Sequence, residues 1–157
     1  MSDTVLNITL KKGGAPPAIP VPQPAPALIF KGAESTPFLA PRGVFMAGGH
    51  LLVSDTGRNR VFIWRNIPSD AFAEPDVVLG QDDLEGTGRN AGGLAGAASL
   101  QYPSGIWSDG QKLVVADAWN HRVLIWHQMP QHHAQPSDVV LGQADFDGNQ
   151  PNRTGVG

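Results

Sequence analysis

The chain contains no cysteine. That excludes a disulfide framework, a thiolate metal site and a cysteine nucleophile. Charge is also sparse: Asp, Glu, Lys and Arg make up 16% of the 157 residues, against about 25% in ordinary soluble domains. Neither sign dominates, with 11 Lys plus Arg against 14 Asp plus Glu and a formal net charge of -3. Such a balance lays down no basic footprint for nucleic acid or for an anionic membrane. No run approaches the 18 or so apolar residues of a membrane span. Met1 to Lys12 lack the basic-then-apolar order of a signal peptide. A cytoplasmic protein with no membrane partner is the expectation.

What the chain has is glycine and proline. Its 19 Gly and 14 Pro are about a fifth of all residues, against roughly 12% on average. That favours turns and short strands over a helical bundle or coiled coil. With 41% apolar residues, the chain can bury a core and is not a disordered polymer.

An internal repeat organises the sequence. A shift of 62 residues carries 41–95 onto 103–157 without a gap, and 21 of those 55 positions are identical, more than chance alignment supplies. Pro41 falls on Pro103, Asp55 on Asp117, Trp64 on Trp126 and Gln81 on Gln143. Each unit carries four short apolar runs separated by Gly, Asp, Asn or Pro. They are β-branched or aromatic and four to six residues long, which is strand chemistry. No segment holds a 3.6-residue apolar period, so no helix is expected. Leu51-Leu52-Val53 and Val61-Phe62-Ile63-Trp64 are apolar without alternation, the pattern of a sheet covered on both faces. Small four-stranded sheets stacked side by side make a β-propeller. The reading is all-β: two four-stranded antiparallel propeller blades, a partial β-propeller, with a Pro-rich N-terminal extension.

The hairpin Leu113-Val114-Val115-Ala116-Asp117-Ala118-Trp119-Asn120-His121-Arg122-Val123-Leu124-Ile125-Trp126 resembles the NHL repeat, whose signature is an Asn-His-Leu-type turn. Asn120-His121-Arg122 occupies that turn here, and Arg58-Asn59-Arg60 in the first unit, which departs at the His position. The resemblance covers about 41–157. It implies a propeller, and it leaves activity open because such propellers include protein-interaction, RNA-binding, sensory and occasional lyase examples.

The remaining segments divide simply. Residues 1–26 are an N-terminal segment and Pro-rich linker, and 27–40 a possible closing strand of an adjoining blade. Residues 41–102 form the first blade. Residues 103–157 form the second, which is incomplete at its end. A closed propeller needs roughly four to eight blades, so further blades are expected from a longer chain or from homo-oligomerisation. Residues 82–101 are a long Gly/Ala-rich connector, expected to be functional or mobile.

In an up-and-down sheet, successive turns alternate between the two ends. This groups the connector with turns 55–60 and 117–122 on one face, where loops on a rigid scaffold carry recognition. Arg58, Asn59, Arg89, Trp119, Asn120 and His121 are therefore the candidate binding residues. Trp119 stands where the first unit has Gly57, so the repeat does not need it, and an exposed Trp is a good anchor. Asp55, Arg60, Asp117 and Arg122 recur at both ends of the hairpin turns and read as scaffold. Trp64 and Trp126 read as blade-packing aromatics. His127, His132 and His133 lack a carboxylate or Cys companion and read as loop histidines, so no metal is expected. The first strands offer Arg42 and Ser104 but no inward His, Asp or Glu. No nucleophile elbow, phosphate loop or acid/base pair is visible, and no catalytic residue or cofactor is expected. The expected function is a non-catalytic scaffold for a protein or peptide. The alternatives are part of a metal-dependent lyase or lactonase with its catalytic residues in other blades, and an RNA-binding propeller.

Overall fold

The computed structural model describes residues 37–70 and 72–151. The N-terminal segment, the linker, most of the possible closing strand and 152–157 lie outside these. The first sheet runs β1 (Gly43–Ala47), β2 (His50–Asp55), β3 (Arg60–Trp64) and β4 (Val77–Leu79). The second runs β5 (Pro103–Ser108), β6 (Leu113–Asp117), β7 (Arg122–Trp126) and β8 (Val139–Leu141). In each, the strands lie in sequence order, and every neighbouring pair is antiparallel. The described residues hold no α-helix, only short 3-10 turns at Thr56–Arg58, Arg89–Gly92 and Ala118–Asn120. The protein is all-β, and the two sheets do not close into a ring.

Local chemistry explains the turns. Gly48 and Gly49 join β1 to β2 with φ of 58° and 84°, the left-handed pair that tight hairpins demand. Asn59 and His121 close the 3-10 turns at Thr56–Arg58 and Ala118–Asn120, at φ 56° and 53°. Asparagine tolerates that conformation well, because its short amide bonds locally.

The sheets stack face to face. Leu52, Val61, Ile63, Val77 and Leu79 of the first sheet meet Leu113, Val115, Leu124 and Trp126 of the second, with Leu100 and Met129 joining the same core. Phe45, Ile106, Val140 and Phe146 pack around it. The inner strands approach closely: a Cβ on Gly43 would lie 2.2 Å from the Ser104 carbonyl oxygen. Only glycine fits there. The outer edge of the first sheet is capped by the second unit's loop. Val78 donates its N–H to His133 Nδ1 at 3.1 Å, and its carbonyl accepts from the Ala134 N–H at 2.9 Å. Such a cap protects an edge strand from unwanted pairing.

Two-sided burial, expected for both units, holds only for the first. β2, β3 and β4 are buried almost without interruption. In β6 and β7 burial alternates residue by residue, because only one face of the second sheet has a neighbour among the described residues. On its other face Leu141 is 51% exposed, whereas its repeat counterpart Leu79 is 1% exposed.

Candidate functional site

The loop face is built on the two buried ion pairs. Arg60 Nε donates to Asp55 Oδ2 at 2.9 Å, and Arg122 Nε to Asp117 Oδ2 at 2.7 Å, all four side chains being fully buried. Each carboxylate also ties down the chain entering its own sheet: Asp55 Oδ1 accepts the Leu39 N–H and Asp117 Oδ1 the Gln101 N–H, both at 2.7 Å. Burial pushes both carboxyls above the usual aspartate range, against the pull of those N–H groups and of the arginines. Burial likewise pushes Arg60 down, opposed by Asp55.

Each arginine then reaches the following connector. Arg60 Nη1 donates to the Leu84 carbonyl and Arg122 Nη1 to the Phe146 carbonyl. Arg122 Nη2 also bonds the carbonyls of Gly96 and Ser99 at 2.9 and 3.0 Å. The guanidinium of Arg60 lies 4.2 Å over the Phe62 ring. Trp64 Nε1 donates to the Ala73 carbonyl and Trp126 Nε1 to the Gln135 carbonyl, both at 3.0 Å. Gln81 Nε2 bonds the carbonyls of Asn59 and Gly88, and Gln143 Nε2 those of His121 and Gln150. Identical residues thus make matching bonds, because each supplies a donor or acceptor that the turn backbone cannot satisfy alone.

Connector 82–101 is tied down as well. Asn90 and Asn120 exchange amide bonds, the closer at 2.8 Å, and Asn120 also donates to Asp117 Oδ2 at 2.7 Å. The Ser137 N–H and Oγ both donate to the Ala97 carbonyl. Asn59, too, is buried: its Nδ2 donates to the Thr87 carbonyl at 2.9 Å, and its Oδ1 accepts the Tyr102 N–H at 3.0 Å. Asn59 and Asn120 therefore join turn to connector and do not reach the surface.

Trp119, Arg89 and His121 do reach it. Trp119 is 55% exposed, and its ring lies 4.6 Å from the Tyr102 ring, tilted by 33°. The Arg89 guanidinium stands 5.7 Å from the Tyr102 centroid, within cation–π range. The Trp119 N–H is anchored on the Gln101 carbonyl at 3.2 Å. The candidates Arg89 and Trp119 thus come together through Tyr102, which the sequence reading did not single out. A signal existed, since Tyr102 stands where the first unit has Ala40, just as Trp119 stands on Gly57. Arg58 lies apart, half-buried beside Asp55 and Arg60, whose charges it biases.

Elsewhere the polar groups are spread out. His127 Nδ1 is 3.7 Å from Asp138 Oδ2 on the surface, and His133 is occupied with Val78. Among the described residues no three His, Asp or Glu converge as metal ligands would. Compared with known proteins, the chain matches no family model and no curated protein.

Proposed function

We propose that the two sheets are successive blades of an NHL-type propeller. In this reading the chain is a non-catalytic scaffold whose loop face binds a protein or peptide. The observation that carries the reading is the Arg89–Tyr102–Trp119 cluster. Two large aromatics stand at positions where the sister unit folds with Ala40 and Gly57. The scaffold does not require them, yet it fixes both backbones: Tyr102 by Asn59 and Trp119 by Gln101. A rigid aromatic with one face in water gives large contact area at small entropic cost, which is how interface anchors are built.

The test is capture of partners on the immobilised chain, compared with Trp119→Ala. Loss of a specific protein or peptide by at least tenfold in affinity, with the unfolding midpoint nearly unchanged, supports the reading. An aromatic platform beside an arginine also stacks nucleobases. Binding of single-stranded RNA that weakens steeply with salt would replace the protein-partner reading. The net charge of -3 is the reason the protein partner is preferred.

A further inference from the structure

Residues 16–26 hold six of the chain's 14 prolines: Pro16, Pro17, Pro20, Pro22, Pro24 and Pro26. No charged residue stands between Lys12 and Lys31. The two sheets give this run no role. Proline at that density favours polyproline II, which makes no internal hydrogen bonds and turns its carbonyls outward. Such a run is recognised by flat aromatic side chains set close together, on which proline rings stack. It also needs donors for the outward carbonyls. The loop face has both. The Tyr102 and Trp119 rings lie 4.6 Å apart, and the Arg89 guanidinium stands 5.7 Å from the Tyr102 centroid. Trp64 and Trp126 spend their indole N–H groups on the carbonyls of Ala73 and Gln135. The Trp119 indole N–H has no hydrogen-bond partner among the described residues.

The chain enters the described residues beside this platform. The Leu39 carbonyl accepts the Gly57 N–H at 2.8 Å, and the Tyr102 N–H donates to Asn59 Oδ1 at 3.0 Å. One short turn therefore holds both the entry point and the platform. Ten residues, 27–36, separate Pro26 from Pro37. Extended, they span about 33–36 Å, far more than the length of a single 3-10 turn. We infer that residues 16–26 of this chain dock on its own Tyr102–Trp119 platform. Proline rings then cover the aromatic faces, and backbone carbonyls accept from the Arg89 guanidinium and from Trp119 Nε1. An uncharged run brings no ion to desolvate against the rings. A tether of this length supplies it at an effective concentration on the order of millimolar, so a weak contact suffices. The inference rests on the loop-face reading and names the peptide that the face takes. A separate partner must displace that segment before it reaches Trp119.

The experiment is nuclear magnetic resonance of the full chain, following the Trp119 indole N–H, with circular dichroism as the control for folding. Trp119→Phe assigns the signal. Changing all six prolines to Ser should shift it and speed its exchange with water at least fivefold. A synthetic peptide of residues 14–28 should reverse that shift in the proline variant. The same peptide should bind the unmodified chain at least tenfold more weakly, because the tethered segment competes. Tyr102→Ala installs the sister unit's residue at a similar φ, 48° against 54° at Ala40, and should abolish both responses with unchanged circular dichroism. An indole signal identical with and without the prolines overturns the inference. So does a peptide that binds both chains equally, or a proline-dependent shift that grows with protein concentration, which would mean docking between copies. If the indole is unmoved while the proline variant captures a separate protein that Trp119→Ala loses, the inference falls and the loop-face reading stands. If neither peptide nor partner responds to Trp119→Ala, both fall.

Discussion

The first and second sheets are two copies of one repeat in two different places. Val77-Val78-Leu79 and Val139-Val140-Leu141 are the same tripeptide in the same register position. The first is wholly buried, and the second is half in water. Strand formation, pairing order and hydrogen-bonding hubs are common to both units, so these belong to the repeat itself. Burial is not common to both. It depends on what lies against that face, the second sheet for Val77 and Leu79 and a cluster with Phe38 and Leu84 for Val78, and it decides how much each side chain contributes to stability.

Paired substitutions at repeat-equivalent positions break this comparison most directly. The largest effect is expected at β3. Ile63→Ala removes a fully buried side chain from the inter-sheet core and should cost about 2–5 kcal/mol. Ile125→Ala, at the half-exposed counterpart, should cost less than half as much. Urea unfolding of both variants measures the gap, and equal losses would mean that the far face of the second sheet is covered in solution.

A smaller contrast is expected at the glycines. Gly43→Ala drives a Cβ to 2.2 Å from the Ser104 carbonyl oxygen, whereas a Cβ on Gly105 meets nothing nearer than 3.7 Å. Gly43→Ala should destabilise by about 1–3 kcal/mol, as overpacking does. Gly105→Ala should be neutral or slightly stabilising, because alanine narrows the unfolded ensemble. Thermal unfolding of the two variants checks the sign as well as the size.

The turn residues give the smallest differences. Asn59→His exchanges the first unit's residue for the second unit's. It removes the amide that holds Thr87 and Tyr102, at about 1–2 kcal/mol for a buried N–H left unpaired. The reverse change, His121→Asn, falls on an exposed left-handed residue and should alter stability by about 0.5 kcal/mol or less. If both exchanges are neutral, Asn59 does not anchor the connector. Hydrogen exchange at the Tyr102 amide would sharpen the point, since that proton should be protected only while Asn59 is present.

Much of this was legible in the sequence because a repeat is its own control. Asp55 and Asp117 recur, and both prove to be acceptors for the entering chain. Trp119 stood out because Gly57 shows that the turn closes without it. The same comparison of Tyr102 with Ala40 would have found the other half of the aromatic pair. Asn59 and Asn120 were read as surface residues because their turns lie beside the connector. Their burial depends on a connector that folds back over them, and its course is set by Arg60, Arg122, Asn90 and Gln81 acting across long sequence separations. No local pattern encodes that return path.

Periodicity, β-branching and left-handed turn residues settled the strands, their order and the positions of the hubs, because each is a property of neighbours along the chain. Which copy of Val-Val-Leu lies dry was settled elsewhere. Hydrocarbon leaves water only where a second surface arrives, and for Val77 and Leu79 that surface is the second sheet.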